Sequence, residues 1–466
     1  MNSEELAFTP ALQQAKLIKT KEISPLELTK LYLERIEKFD SQLTSYYHVA
    51  ADYALSDAKA KTEQLIKNST ELPPFFGVPI SIKDLNPVNG LPCSYGVAAL
   101  QNQPAGFDSG IVTKIQQAGF TILGKTATSQ LGSLPYTEPA GFAPTRNPWN
   151  LNYTPGGSSG GAAAALAAGL CAISQGSDGG GSVRGPASCC GVVGLKPARG
   201  RITSAPVGDW LNGIASNGVL ARTVEDAAAF LDVVSGYVTG DPYWLPQPDT
   251  AFLTATNQKL PSLKIAFTTA LPPLGEAHPT CEKVVLETVK NLEKFGHNFE
   301  ERCPDFNGLI EPFQVIWQAA VATFNIPPEL LEPMNRWLLE TGQSAGIYLQ
   351  AVAQMQMISR RIVAFFDEFD ILVLPVNLHP AIRIGEWAHL SPEETLQKIT
   401  NWIAPCPPFN ASGLPAISVP AGFDENGVPV GVQLVGKPAS EGILLAVAAQ
   451  LEKATSFHTK RPNFIK

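Results

Sequence analysis

The sequence predicts an α/β fold in which a mixed central β-sheet is covered on both faces by helices. The first observation is a strand–helix–strand order, with short apolar strands at 76–83 and 120–123 and a helix at 109–117 between them. Such alternation is typical of sheets that helices cover. The second observation is a set of apolar runs of strand length near the end of the chain, at 371–374, 416–420 and 430–435. The last two runs are joined by a turn signal at 424–427, Asp-Glu-Asn-Gly, which predicts a hairpin.

Helix start signals and apolar periodicity predict the elements that cover this sheet. Ser24-Pro25-Leu26-Glu27 is a capping box with proline at the first helical position, so a first helix is expected to run to about Phe39. After Gly161 the run AAAALAAG predicts a helix whose small side chains permit close packing, which places it in the interior. Further helices are predicted at 53–67, 223–236 and 280–295.

Composition and charge exclude several classes of function. The 466 residues are 44% hydrophobic and 16% charged, as in globular proteins, and the formal net charge of −8 argues against nucleic acid as a main partner. The N-terminal sequence shows no secretory signal pattern, and the longest apolar stretch, about 162–173, is too short to span a bilayer, so no membrane partner is expected. The seven cysteines are irregularly spaced without a CxxC pair, which predicts a reducing, cytoplasmic location and neither a metal site nor another cofactor.

Two clusters of glycine and serine are the most informative local feature. They are Gly156–Gly161, with sequence GGSSGG, and 178–182, with sequence DGGGS. Glycine allows close backbone approach, and successive free N–H groups form a concavity that binds anions. A serine hydroxyl in such a loop needs a base before it can act as a nucleophile at neutral pH. The combination points to acyl transfer.

The candidate base is a lysine rather than a histidine. No local motif singles out any of the six histidines. Lys83 instead ends an apolar run, where burial would lower its pKa and allow the neutral amine to accept a proton. Asp84, the next residue, would oppose that shift if its carboxylate lay close.

These residues resemble the amidase-signature family. The block GGSSGG is followed by GSDGGGSVRGPA at 176–187, and Gly191 and 194–197 continue the family pattern. A weaker resemblance extends from the first helix to 413–420 and so covers nearly the whole chain. The DGGGS form and the segment PTRNPW at 144–149 are most similar to aminohexanoate cyclic-dimer hydrolases and related bacterial amidases.

The resemblance implies a catalytic trio and an overall organisation. It assigns Ser182 as the nucleophile, Ser158, preceded by a cis peptide bond, as the proton relay, and Lys83 as the base. It implies the amidase-signature fold as a single domain over 1–466, with a catalytic core at about 70–240 and a helical substrate lobe at about 305–365. The oxyanion would be bound by backbone N–H groups from one loop: Gly179, Gly180, Gly181 and Ser182.

Three further residues are expected to support this site. Ser159 could cap the alanine-rich helix. Asp178 and Arg184 are expected to form a structural ion pair around the loop rather than to contact substrate.

The implied activity is the hydrolysis of a small carboxylic amide to a carboxylate and ammonia or an amine, by a chain that could form a homodimer. The alternative within the family is the glutaminase (A) subunit of a glutamyl-tRNA amidotransferase. The segment 403–410, IAPCPPFN, does not resemble that glutaminase, and no charged residue stands where it would hold the charged ends of an amino acid.

Two rival motifs are weaker. Gly156–Gly160 satisfies the G-x-S-x-G pattern of a nucleophile elbow, but a loop precedes it where the elbow requires a strand. Residues 119–126 satisfy the letters of a P-loop, but they include the predicted strand at 120–123.

The substrate pocket is expected to be lined by residues from 126–137 and 305–350. The apolar residues there predict an uncharged, fairly hydrophobic amide: Leu131, Leu134, Phe313, Ile316, Trp317 and Phe324. Of these, Phe313 and Trp317 are expected to belong to the core rather than to the pocket wall.

Overall fold

The computed structural model describes residues 2–67, 71–209 and 211–463. The strands in this part of the chain are β1 Tyr46–Val49, β2 Pro79–Lys83, β3 Thr121–Thr126, β4 Ile173–Asp178, β5 Val193–Lys196, β6 Ser216–Ala221, β7 Lys264–Phe267, β8 Ala270–Leu271, β9 Gly275–Glu276, β10 Asn298–Glu301, β11 Ile371–Pro375, β12 Ala416–Phe423 and β13 Pro429–Gly436. The helices are α1 Ser3–Ala7, α2 Ala11–Lys19, α3 Pro25–Leu43, α4 Ala51–Ile66, α5 Gly110–Gln117, α6 Gly160–Ala167, α7 Arg184–Cys190, α8 Val224–Val234, α9 Phe252–Ala255, α10 Pro279–Glu293, α11 Ile310–Thr323, α12 Pro333–Glu340, α13 Ala345–Ala364, α14 Pro392–Ile403, α15 Pro407–Ala411 and α16 Glu441–Thr455.

Eleven of these strands form one mixed sheet, in the order β1-β3-β2-β4-β6-β5-β12-β13-β11-β7-β10. The strand β2 is parallel to both neighbours, β3 and β4. The middle of the sheet, from β4 to β11, is antiparallel, and β11, β7 and β10 are parallel again. Helices flank the sheet, so the predicted α/β class with a mixed central sheet is confirmed.

The predicted local signals act as expected. In α3 the Ser24 side chain accepts from the Glu27 N–H while the Glu27 side chain accepts from the Ser24 N–H, and the helix continues past Phe39 to Leu43. All eight residues of α6 are buried, and the helix packs against β2, β4 and β6. The hairpin of β12 and β13 forms around the predicted turn.

The region 305–365 is helical, as predicted, and consists mainly of α11, α12 and α13. Pro333 is the first residue of α12, a position that proline favours. Met355 and Ile358 of α13 belong to the same buried apolar cluster as Leu372 and Leu374 of β11. Helix α13 therefore packs in the apolar layer that covers β11. Within the described residues we find no helix with both the length and the apolar character needed to cross a lipid bilayer.

The sheet brings the two predicted chemical segments to one edge. Lys83 is the last residue of β2, and Asp178 is the last residue of β4. Because β2 and β4 are adjacent and parallel, their carboxyl ends meet at the same edge of the sheet, which is where open α/β sheets usually place a site.

Candidate active site

Lys83 is buried at the centre of a hydroxyl cluster. Its side chain is completely buried, and Nζ lies 2.7 Å from Ser158 Oγ and 3.1 Å from Ser177 Oγ. Burial lowers the pKa of Lys83 to about 7, although the nearby Asp178 carboxylate acts in the opposite direction. The neutral amine, which can accept a proton, is therefore accessible near neutral pH.

Asp84 does not oppose this shift, although it follows Lys83 in the chain. Its carboxylate turns the other way and pairs with Lys125 of β3 at 3.0 Å, and both side chains are buried. This pair neutralises the negative charge nearest to Lys83 in sequence.

The peptide bond between Gly157 and Ser158 is cis, as predicted. Glycine is required at position 157, because a Cβ there would lie 2.6 Å from the backbone nitrogen of Tyr136. Ser158 itself is almost completely buried.

Ser159 stands at the start of α6, but its hydroxyl does not cap the helix. Ser159 Oγ donates to the Ser177 carbonyl at 3.2 Å and accepts from the Ser177 N–H at 3.4 Å. Its own N–H donates to the Ser182 carbonyl at 3.2 Å. The capping prediction is therefore wrong, because Ser159 instead joins the two serine-containing loops.

The residues of the loop Gly179–Ser182 line two cavities. The N–H groups of Gly179, Gly180 and Ser182 meet no acceptor within the described part of the chain. The N–H of Gly181 donates to Asp178 Oδ1 at 2.8 Å, so the prediction that it serves the oxyanion is wrong. Gly181 has a φ of +120°, a backbone conformation that residues with a side chain adopt only with strain.

Asp178 and Arg184 form the predicted ion pair beneath this loop. Arg184 Nη2 lies 2.8 Å from Asp178 Oδ1, and both side chains are fully buried. Burial alone would raise the pKa of Asp178, but the Arg184 guanidinium holds it below its ordinary range. Asp178 also accepts from the N–H of Val183 at 3.1 Å, so the carboxylate shapes the loop around Ser182.

Sequence reasoning missed three partners of Arg184. Its guanidinium also donates to the Cys406 carbonyl at 3.1 Å, to Gln433 Oε1 at 2.5 Å and to Asn410 Oδ1. More than 200 residues separate each of them from Arg184, so no spacing pattern could have identified them.

We expect Asp178→Asn to lower the free energy of unfolding by about 3–5 kcal/mol, because it leaves a buried guanidinium without its counter-charge. Urea denaturation at pH 7 measures the effect. The control is Glu287→Gln, whose exposed partner Lys283 lies 3.9 Å away, and which should change stability by less than about 1 kcal/mol. Equal, small losses in the two variants would contradict a stabilising role for the buried pair.

Two cavities border the serines. The apolar cavity has a volume of about 100 Å³ and is lined by Ser182 and Gly180, with walls that include Phe313, Trp317, Leu338 and Ile403. The wide cavity has a volume of about 700 Å³ and is lined by Ser158 and Gly179, with walls that include Tyr95, Leu131, Phe324 and Ile326. Among the described residues, no histidine lines either cavity.

The lining corrects part of the pocket prediction. Phe313 and Trp317 are half-buried and line the apolar cavity, so their assignment to the core alone is wrong. Ile316, which precedes Trp317 in the chain, is buried and lines neither cavity. The segment 396–408 also contributes to the apolar cavity, which the sequence did not predict.

The rival motifs do not form. Ser158 follows a loop rather than a strand, as the sequence predicts, and 121–126 is β3 rather than a phosphate-binding loop. The strand lies inside the sheet between β1 and β2, so its backbone N–H groups are used in pairing.

The chain also matches known proteins along most of its length. The Amidase family model matches residues 27–445. A putative amidase of Synechocystis sp. is 55% identical over 451 residues, which are 96% of this chain and 89% of the relative. The A subunit of the glutamyl-tRNA(Gln) amidotransferase of Methanosarcina mazei is 36% identical, and the match covers 95% of this chain and 96% of the relative. The structure of 6-aminohexanoate cyclic dimer hydrolase complexed with substrate has a TM-score of 0.91 and 29% identity, and covers 99% of this chain and 100% of that chain.

A mixed α/β sheet with two serine-containing glycine loops at one edge and matches of this extent define a hydrolase of carbon–nitrogen bonds. The chain belongs to the amidase-signature family, and the protein is an amidase.

Proposed function

We propose that this amidase works through a serine acyl-enzyme, with Ser182 as the nucleophile, Ser158 as the proton relay and Lys83 as the base. The observation that carries the proposal is the 2.7 Å contact between Lys83 Nζ and Ser158 Oγ at a buried amine whose pKa is lowered to about 7. A neutral lysine can accept a proton, and here its partner is a hydroxyl rather than a carboxylate.

In the first half of the reaction, Ser182 Oγ attacks the amide carbonyl carbon. Its proton passes to Ser158 Oγ while the Ser158 proton passes to Lys83 Nζ. No hydrogen bond joins the two serine hydroxyls within the described residues, so this mechanism requires the Ser182 side chain to turn toward Ser158 when substrate binds. The contact between the Ser159 N–H and the Ser182 carbonyl keeps the two loops adjacent during this movement.

The oxyanion of the tetrahedral intermediate is bound by the N–H groups of Gly179, Gly180 and Ser182. Each donor of this kind is worth about 3 kcal/mol in the transition state. The carbon–nitrogen bond then breaks, and the proton on Lys83 returns through Ser158 to the leaving nitrogen. Water attacks the resulting ester by the same proton path and releases the carboxylate.

The glutaminase alternative fits the cavities less well. Within the described part of the chain, no charged side chain lines the apolar cavity. The wide cavity has Arg199 and Asp209, but Arg199 donates to the carbonyls of Gly213, Asn410 and Ala411, and Asp209 accepts from the N–H groups of Leu211 and Gly213. Both groups are thus held by backbone bonds, which fits a structural role better than recognition of the charged ends of glutamine.

We expect the purified chain, without partner subunits, to hydrolyse an uncharged alkyl or aryl amide at least about tenfold more efficiently, in kcat/KM, than glutamine. Released ammonia or amine measures both reactions. A preference for glutamine that appears only when the other amidotransferase subunits are added would favour the alternative.

The remaining features of the proposal concern organisation and location. The chain acts as one domain, with the catalytic core at about 70–240 and the substrate lobe at about 305–365. All seven cysteines are free, which supports a reducing compartment such as the cytoplasm. A homodimer stays a prediction.

A further inference from the structure

The two cavities approach the reacting groups from different sides. The apolar cavity reaches Ser182, whereas the wide cavity reaches Ser158. In the proposed mechanism, Ser158 returns a proton to the leaving nitrogen, so that nitrogen must lie on the Ser158 side. The acyl carbon, bonded to Ser182, carries the rest of the acyl group toward the other side.

From this division we infer the substrate class. We propose that the substrate is an N-substituted amide, with a compact apolar acyl group in the apolar cavity and a larger, uncharged amine portion in the wide cavity. This inference rests on the proposed function, because the mechanism decides which cavity receives which half.

The sizes of the cavities support this assignment. The apolar cavity, at about 100 Å³, is smaller than the cavity of about 150 Å³ that holds a benzene ring in an engineered protein core. The apolar cavity therefore suits an acyl group no larger than a single ring. The wide cavity, at about 700 Å³, is much larger than ammonia requires.

Trp317 and Ser133 form the wall between the two cavities, since both residues line both of them. The indole Nε1 donates to the Ser133 carbonyl at 3.2 Å, and the ring stacks on Phe313 at 5.8 Å. On the other side, Ser133 Oγ donates to Asn335 Oδ1 at 2.6 Å. A Cβ on Gly179 would lie 3.0 Å from the indole, so the wall stands directly over the oxyanion loop. This wall keeps the acyl and amine portions apart.

The chemistry of the wide cavity indicates an uncharged amine portion. Its two charged side chains, Arg199 and Asp209, are hydrogen-bonded to backbone groups. Part of its wall is aromatic, since Tyr95 meets Phe324 edge-on at 5.7 Å between ring centres. Such a wall favours aromatic or aliphatic amines.

Two substrate series test the proposal, both built from amines of similar basicity so that leaving-group chemistry is constant. In the first series the acyl group is butyryl, and the amine grows from ammonia to benzylamine to naphthylmethylamine. We expect kcat/KM to rise at least about tenfold from the primary amide to the N-benzyl amide and to be retained with the naphthyl group. In the second series the amine is benzylamine, and the acyl group grows from butyryl to naphthylacetyl. Here kcat/KM should fall at least about tenfold.

A matched pair of variants locates each half. Ile403 and Ile326 are both half-buried isoleucines, and each lines one cavity only. Ile403→Trp should lower the efficiency for larger acyl groups relative to butyryl, and Ile326→Trp should lower the efficiency for larger amines relative to ammonia. Because each result is a ratio of two substrates in one variant, partial unfolding cancels.

Three results separate the outcomes. A rise of kcat/KM in the amine series, a fall in the acyl series, and a loss confined to large acyl groups in Ile403→Trp and to large amines in Ile326→Trp support the proposal. Efficient hydrolysis of large acyl groups but not of large amines, or the reversed response of the two variants, overturns it while leaving the amidase mechanism intact. Hydrolysis that persists after Ser182→Ala would instead show that the proposed mechanism has failed.

Discussion

Ser182→Ala is expected to abolish amide hydrolysis, with kcat lowered by at least about 10⁴-fold. In serine hydrolases whose catalytic groups act as a unit, removal of the nucleophile alone costs about 10⁶-fold, and the residual rate comes from the oxyanion site and substrate binding. The loss of one hydroxyl leaves Asp178, Arg184 and the N–H groups of the loop in place, so substrate binding should change little. Steady-state kinetics with the best substrate of the amide panel measures the effect.

The control for this variant is Ser418→Ala. Ser418 lies in β12, is fully buried, and its hydroxyl has no hydrogen-bond partner in the described part of the chain. Its removal should leave kcat within about threefold, because no bond and little volume are lost. Comparable activity in Ser182→Ala and the wild type, with a folded protein in both cases, would refute the assignment of the nucleophile.

Lys83→Met is expected to have an effect of similar size and also to remove a pH dependence. In the wild type the neutral amine is the active form, and the pKa of Lys83 is about 7. Activity should therefore be nearly full well above pH 7 and should fall about tenfold per pH unit well below it, as the amine becomes protonated. Methionine has a similar length but cannot accept a proton, so the variant should lose activity at every pH. A kcat/KM profile from pH 5 to 9 measures both effects.

Lys196 provides a matched control, because burial also lowers its pKa to about 7. Its Nζ donates to the Pro197 carbonyl at 3.0 Å and, within the described residues, forms no hydrogen bond with a serine hydroxyl. Lys196→Met should keep the wild-type midpoint of the kcat/KM profile against pH. A shifted midpoint in this variant would show that Lys196, rather than Lys83, is the group that titrates. A flat profile in the wild type would remove Lys83 as the base.

Local chemistry explains why much of the fold was predictable. The capping box at Ser24, the turn at 424–427 and the small-residue helix after Gly161 each depend on neighbours within a few residues, and each forms as expected. Where a second, distant partner competes for the same group, local reasoning fails. The Ser159 hydroxyl bonds to Ser177 instead of capping α6, and the Gly181 N–H bonds to Asp178 instead of facing the substrate.

The cavity walls show that local sequence also fails to predict what a buried helix face packs against. Phe313 and Trp317 occupy one face of α11, and an apolar helix face looks the same in sequence whether it meets the core or an empty space. In the tertiary structure, α14 faces these two residues and contributes to the opposite wall of the apolar cavity. The charged residues of the wide cavity show the same limit. Arg199 is hydrogen-bonded to backbone carbonyls that lie far from it in the sequence, so its local sequence does not reveal this role.

By itself, the amino-acid sequence determined the α/β class, the order of the main elements, the family and the two glycine–serine loops with their upstream lysine. These features depend on short-range hydrogen bonds and on hydrophobic periodicity, and both can be recognised from neighbouring residues. Only the tertiary structure decided that Lys83 is buried and hydrogen-bonded to Ser158, that Asn410 and Gln433 accept hydrogen bonds from Arg184, and that two cavities of unequal size border the serines. These features depend on contacts between segments far apart in the chain, and such contacts leave no periodic or local pattern.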